Sequence, residues 1–293
     1  MGASRFPNES NRTFKKFNPL KKLVTRAITG AILVLVMLAA IILSQYSYAL
    51  LFLVILIGGI TEYSKLFKDS EVKPNTGLIY GISFLIFISV FLIAQRLIET
   101  KYFFGFPPLF LIVMAAEMYR QKEKTLENIA ATIFGIVYLA VPISLISFLV
   151  FPEIIPGNSY SPKLLVALFV LIWIYDSGAY LVGVSIGKHR LFERISPKKS
   201  WEGAVGGTLT AIAAGYFISG FIPEVKLIHW LVISILTVTS STFGDLTESM
   251  LKRYFGIKDS GNILPGHGGV LDRFDSLFFA APVIVMYLKL FVE

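Results

Sequence analysis

Cysteine is absent from this 293-residue sequence, and histidine occurs only three times. The lack of cysteine excludes disulfide bonds, thiolate metal sites and cysteine nucleophiles. Charged residues are also scarce, since they make up 16% of the chain whereas soluble domains contain about a quarter. Hydrophobic residues make up 55% and are concentrated in long runs. This combination excludes a soluble single-core protein and a disordered chain.

The apolar runs are each about 20 residues long, which is the length that a helix needs to cross a bilayer. They are continuous rather than alternating, so a β-barrel is not indicated. We therefore predict an all-α polytopic membrane protein with about nine transmembrane helices. The fourth run contains Pro107 and Pro108, and it should be kinked or begin after them. The predicted spans are Ala27–Ser44, Tyr46–Glu62, Gly77–Gln95, Tyr102–Tyr119, Asn128–Phe151, Leu164–Ile186, Gly203–Ile222, Leu227–Leu251 and Phe274–Val292.

Lysine and arginine are distributed unevenly between the segments that join these spans. If the N-terminus is cytoplasmic, 22 of the 27 basic residues lie in inner segments and 5 in outer ones. Cytoplasmic segments of membrane proteins carry such an excess. We therefore expect an integral membrane protein, in the inner membrane if the chain is bacterial, with its C-terminus outside. The same distribution explains the net charge of +8 without nucleic acid as a partner.

The chain divides into three parts by polarity. Residues 1–22 are polar and basic, and we expect a disordered tail, part of which need not be native. Residues 23–162 contain the first five spans, where Glu62 and Glu117 lie near span ends and are expected to be interfacial. Residues 163–293 contain the last four spans and most of the unexpected polar residues, so we predict that they form the catalytic region.

Ionisable residues interrupt two of these last spans. Asp176 lies well inside the sixth span, where a charge costs about 2.5–3.5 kcal/mol on insertion scales. A cation, a water-filled cavity or a buried partner must offset that cost; the alternative is a structural, hydrogen-bonded aspartate. Asp245, Ser249 and Lys252 follow i, i+4, i+7 spacing and share one face of the eighth span. We expect them to line a polar cavity that opens to the cytoplasm.

A glycine-rich loop precedes the ninth span. Gly268 and Gly269 follow His267, and glycines there permit positive φ and close approach to a ligand. Asp272 and Asp275 share a face on the first turn of the next helix, where free N–H groups attract anions. The helix dipole would favour either aspartate alone. It does not explain both of them beside His267, the glycines and several basic residues.

A second basic loop follows the sixth span. It contains Ser196, Lys198 and Lys199 before a Trp-Glu-Gly turn. These residues are compatible with a phosphate-binding loop, although lysines there also serve as orientation signals. Carboxylates without cysteine favour a hard cation such as Mg²⁺, and together with basic residues they indicate metal-assisted phosphoryl or nucleotidyl transfer. A lipid phosphate is an expected substrate, and the absence of a G-x-x-x-x-G-K-[ST] motif excludes a P-loop enzyme.

One long spaced motif resembles the full signature of the CDP-diacylglycerol synthase (phosphatidate cytidylyltransferase) family. The stretches around Asp176 and Ser196 also resemble that family, and the specific resemblance covers roughly residues 170–276. The motif is Ser249-x-Leu251-Lys252-Arg253-x4-Lys258-Asp259-x-Gly261-x2-Leu264-Pro265-x-His267-Gly268-Gly269-Val270-x-Asp272-Arg273-Phe274-Asp275.

The resemblance implies that CTP and phosphatidate react to give CDP-diacylglycerol and pyrophosphate, with Mg²⁺ and a second metal ion as an open alternative. It also implies membrane lipids and a second copy of the chain, as a homodimer, among the partners. Metal ligands assigned on this basis are Asp176, Asp245, Asp272 and Asp275. The catalytic residues are Asp245, Lys258, Asp272 and Asp275. Substrate binding is assigned to Ser196, Lys198, Lys199, Ser249, Lys252, Arg253, His267, Gly268, Gly269 and Arg273.

Two other functions compete with this one. A different lipid phosphotransferase, either a CDP-alcohol phosphatidyltransferase or a lipid kinase, would use similar groups. The former needs a D-G-x2-A-R-x8-G-x3-D-x3-D pattern, which the sequence lacks. The less favoured rival is an ion-coupled transporter, which would need ionisable residues through both leaflets. Here they cluster at one end of the spans.

Overall fold

The computed structural model describes residues 19–154, 160–261 and 268–292, with side chains from residue 28 onward. Most of these residues are helical, as predicted. Among them are eight helices long and apolar enough to cross a membrane, so the chain is an integral membrane protein. The first helix, α1 (Pro19–Leu43), has a shorter described apolar part, Ile28–Leu43.

The first half of the chain forms a helical bundle with an aromatic core. Ser44 alone separates α1 from the next helix, and it accepts a hydrogen bond from the Ser47 N–H in a capping box, so the two helices form a tight hairpin. The fourth span breaks where its prolines begin, with a 3₁₀ turn at Thr100–Gly105 before the helix. The helices are α2 (Gln45–Leu66), α3 (Thr76–Ala94), α4 (Pro107–Arg120) and α5 (Thr125–Val150), the last with a π-helical turn at Ile136–Ala140.

The second half contains four helices and a short hairpin. This antiparallel hairpin is a departure from the all-helical prediction. It forms because the Glu202 carboxylate accepts hydrogen bonds from the N–H groups of Lys188 and His189, which ties the start of the hairpin to the helix that follows it. The elements are α6 (Lys163–Ile186), β1 (Arg190–Phe192), β2 (Ser196–Ser200), α7 (Trp201–Phe221), α8 (Leu227–Tyr254) and α9 (Leu271–Phe291).

Helix α9 joins the two halves of the bundle. It packs against α8 on one side and against α5 and α2 on the other. At Gly244 the backbones of α8 and α9 lie in contact. A β-carbon at this position would overlap the carbonyl oxygen of Asp275, so only glycine allows this approach. This close approach brings Asp245, the next residue on α8, beside Asp275.

The two glutamates near span ends in the first half of the chain are buried inside the helical bundle. Glu62 is 0% exposed and Glu117 is 2% exposed, because neighbouring helices cover both side chains. Glu117 is held by the Arg120 guanidinium at 2.6 Å and by the Asn128 amide at 2.9 Å, so it connects α4 to α5. Glu62 instead faces the start of α9.

Candidate active site

A cavity of about 1080 Å³ lies among α6, α7, α8, the β-hairpin and the first turn of α9. Its described lining contains six carboxylates and five basic side chains, all from residues 163–293. The carboxylates belong to Asp176, Asp245, Glu248, Asp259, Asp272 and Asp275, and the basic side chains to Arg190, Lys198, Lys199, Lys252 and Arg273.

Three of these carboxylates form a compact cluster. Oxygen atoms of Asp245, Glu248 and Asp275 all lie within 4.8 Å of one another. Glu248 is 2% exposed, and its Oε1 has no hydrogen-bond partner among the described residues. Carboxylate oxygens at this spacing repel unless a cation lies between them, and hard divalent cations prefer such ligands. The donor set therefore fits Mg²⁺.

Glu248 is the member of this cluster that the sequence did not identify. Its i, i+4 spacing to Lys252 indicated only an ordinary surface ion pair. A second signal was present, because Glu248 also follows Asp245 by three residues, which places both on one face of α8. Only the contact between α8 and α9 shows that this face meets Asp275.

Lys252 compensates two acids at once. Its Nζ lies 2.5 Å from Glu248 Oε2 and 2.7 Å from Asp272 Oδ1, and the lysine side chain is only 14% exposed. The other oxygen of Asp272 accepts hydrogen bonds from the N–H groups of Gly269 and Ser260, at 2.8 and 3.1 Å. Asp272 therefore holds Lys252, Ser260 and Gly269 together.

The β-hairpin contributes a second cation. Lys199, on β2, places its Nζ 2.6 Å from Asp245 Oδ2. The other oxygen of Asp245 accepts a hydrogen bond from the Ser249 hydroxyl at 3.3 Å. Asp176, on the neighbouring helix α6, is exposed into the cavity. Of the three expected ways to offset the cost of this charge, the structure therefore favours a cavity over a buried partner.

Of the remaining predicted site residues, some line the cavity and others do not. Lys258 and Arg253 are exposed and do not line this cavity; Arg253 donates a hydrogen bond to the Ile257 carbonyl. Gly268 lines the cavity and has a φ of 82°, in agreement with the expected left-handed backbone. Ser196 begins β2, outside the lining, and His267 is outside the described residues.

A second cavity, of about 310 Å³, adjoins the polar one. Helices α1 and α6 give it hydrophobic walls, including Leu33 and Trp173, and the start of α9 closes it with charged as well as apolar residues. It shares Asp176, Asp272, Arg273, Asp275 and Ser276 with the polar cavity. The three acids therefore lie where the polar cavity meets the hydrophobic walls of α1 and α6.

The two lysine bridges should differ in their contribution to stability. Lys252→Met leaves Glu248 and Asp272 buried without their cation, and loss of one partner of a buried pair costs about 3–5 kcal/mol. Lys199→Met breaks a bridge whose side chains are 26% and 36% exposed, which should cost about 0–1 kcal/mol. Denaturant titration in detergent micelles measures both changes. Equal losses of unfolding free energy would contradict this account of Lys252.

Comparison with known proteins identifies the family of this chain and two of its relatives. The chain is 46% identical to the phosphatidate cytidylyltransferase of Haemophilus influenzae over 124 residues, which cover 41% of this chain and 43% of that protein. It is 48% identical over 124 residues to the enzyme of the same name from Bacillus subtilis, covering 42% and 46%. Each alignment thus spans less than half of the relative. The model of the cytidylyltransferase family matches residues 24–291, nearly the whole sequence, and the chain belongs to that family.

Proposed function

We propose that this chain is a phosphatidate cytidylyltransferase. In the reaction, a phosphate oxygen of phosphatidate attacks the α-phosphorus of CTP. The bond from that phosphorus to the oxygen bridging the α- and β-phosphates breaks, pyrophosphate leaves, and CDP-diacylglycerol forms. The observation that carries the proposal is that a charged cavity meets the hydrophobic walls of α1 and α6 at Asp176, Asp272 and Asp275. The relatives' names support the same reaction.

The charge of the cavity lining explains why a metal ion belongs to this proposal. Both substrates are anionic, yet the lining has one more carboxylate than it has basic side chains. We propose that Asp245, Glu248 and Asp275 hold Mg²⁺; whether a second ion joins it stays open. When bound, the ion would neutralise phosphate charge and polarise the α-phosphate. We assign Asp272 to support of Lys252 and the loop, and keep Asp176 as a further candidate ligand.

The basic side chains receive the phosphates in this proposal. Lys252 and Arg273 line the cavity from α8 and α9, while Lys198 and Lys199 line it from the hairpin. Because phosphatidate is largely ionised at neutral pH, relief of repulsion between two anions matters more than a strong general base. Ser249 acts by orienting Asp245. For Ser196, Arg253, Lys258, His267, Gly268 and Gly269 the substrate-binding roles remain those that the family resemblance implies.

We also propose an orientation in the membrane. With α1 counted, the chain crosses nine times, its N-terminus and the polar cavity face the cytoplasm, and its C-terminus lies outside. The support is the distribution of lysine and arginine, 22 inside against 5 outside. This orientation gives CTP access to the acids from water. We propose a homodimer on the resemblance alone.

The reaction is tested with CTP radiolabelled on either its α- or its γ-phosphate, given to purified protein with phosphatidate and Mg²⁺ in mixed micelles. The α-label should appear in lipid and the γ-label in pyrophosphate. Asp275→Asn should reduce transfer by about a hundredfold to a thousandfold, since one charge interaction at the reacting centre is lost. Asp69→Asn, at an exposed aspartate between α2 and α3, should leave the rate unchanged.

The labels also distinguish the rival functions. Transfer of the γ-label to lipid would identify a lipid kinase. Absence of any labelled lipid, under conditions in which a related cytidylyltransferase is active, would reject the proposed reaction. Equal rates for Asp275→Asn and Asp69→Asn would reject the assignment of the site.

The orientation is tested by single cysteines in this cysteine-free chain. Glu193→Cys places an exposed thiol in the hairpin, and Glu99→Cys places one in the loop after α3. An impermeant thiol reagent added to intact cells should label only residue 99, and cell lysis should expose residue 193. Labelling of residue 193 from outside would reverse the proposed orientation.

A further inference from the structure

Glu62 is a buried acid that the mechanism above does not use. It lies on α2, in the half of the chain remote from the family motif, and is 0% exposed. Its Oε2 accepts a hydrogen bond from the Leu271 N–H at 2.9 Å, across 209 positions of sequence. The Ser260 hydroxyl lies 3.3 Å from the same oxygen. Oε1 has no hydrogen-bond partner among the described residues.

The reason for an acid here is the unprotected start of α9. The residue at its N-cap, Val270, provides no side-chain acceptor, and Leu271 is 2% exposed. An N–H group in the first turn of a buried helix is costly to leave unpaired. Glu62 supplies the missing acceptor and places negative charge at the positive end of the helix dipole. It thus caps α9 from another helix.

The backbone around Glu62 is fitted to its carboxylate. A β-carbon at Gly261 or Gly269 would overlap one of the two carboxylate oxygens, so both glycines are needed for the contact. Both glycines belong to the family motif. Glu62 therefore contacts that motif on both sides of residues 262–267.

Glu62 reaches the acids of the cavity through one intermediate side chain. The Ser260 hydroxyl lies 3.0 Å from Asp272 Oδ2 as well as 3.3 Å from Glu62. Asp272 in turn holds Lys252 at 2.7 Å. A shift of Glu62 would therefore move the first turn of α9, which carries both Asp272 and Asp275.

We propose that Glu62 is a positioning residue for cytidylyl transfer: it fixes the start of α9, and with it Asp272 and Asp275, without touching either substrate. This inference rests on the proposed function. Its consequence is that the first five spans contribute to the active site and are more than a membrane anchor.

The test compares two replacements of similar length. Glu62→Gln keeps an oxygen for the Leu271 N–H, whereas Glu62→Met keeps bulk and removes the acceptor. Because an unpaired buried N–H is costly, Met should lower kcat by about tenfold or more and raise the Mg²⁺ concentration for half-maximal rate. Glu62→Gln should keep kcat and the Mg²⁺ requirement close to the wild-type values. The KM for phosphatidate should stay unchanged in both variants. Glu117→Gln, at the buried glutamate that connects α4 to α5, should alter none of these values.

Amide hydrogen exchange supplies a readout that does not need catalysis. The peptide containing Leu271 should exchange faster in Glu62→Met than in wild type, and Glu62→Gln should resemble wild type. If wild type shows no cytidylyl transfer, the proposed function fails while the exchange result still decides whether Glu62 caps α9. If Glu62→Met does not fold, Glu62→Asp withdraws the oxygens by one methylene and should show the same losses. Wild-type kcat and exchange in Met or Asp would overturn the proposal.

Discussion

Carboxylates that face one another inside a membrane-spanning bundle repel, and the architecture of α6 to α9 depends on how that repulsion is compensated. Asp245, Glu248 and Asp275 are brought together by backbone contact between α8 and α9 at Gly244. Lys252 neutralises Glu248 from within the same helix. The remaining negative charge of the three acids is what a bound cation would neutralise. The repulsion that makes the cluster costly to assemble is therefore also what allows it to hold a metal ion.

Both halves of the chain contribute to the position of this acid cluster. The second half supplies the charged side chains and the hairpin that brings Lys199 to Asp245. The first half supplies the packing surface for α9, through α2 and α5. Glu62 adds a hydrogen bond from that half to the first turn of α9. In the proposed function, the packing of α9 against α2 and α5 therefore sets the position at which phosphatidate meets the α-phosphate of CTP.

Local sequence patterns predicted much of this structure. Runs of apolar residues predicted the eight long apolar helices to within a few positions, and Pro107 marked the break before α4. The spacing of Asp245 and Lys252, and that of Asp272 and Asp275, correctly placed these residues on shared helix faces. The family motif identified the same region because it is contiguous in sequence.

What the sequence did not predict depends on contacts between distant elements. Glu62 lies at a span end by hydropathy, and only the packing of α2 against α9 shows that it is buried. Glu248 forms an ordinary i, i+4 pair by spacing, and only the contact with α9 gives it a role in the acid cluster. The β-hairpin was predicted as a loop, since its strands are short and are stabilised by Glu202 from the following helix.

The central claim is that the acids of α8 and α9 form a cation site, and the most direct test is metal binding without substrates. Mn²⁺ titrated into the purified protein, followed by electron paramagnetic resonance, should show saturable binding in the wild type and in Asp69→Asn. Asp275→Asn should lose that binding while keeping its unfolding transition. Identical Mn²⁺ binding by wild type and Asp275→Asn would contradict the account.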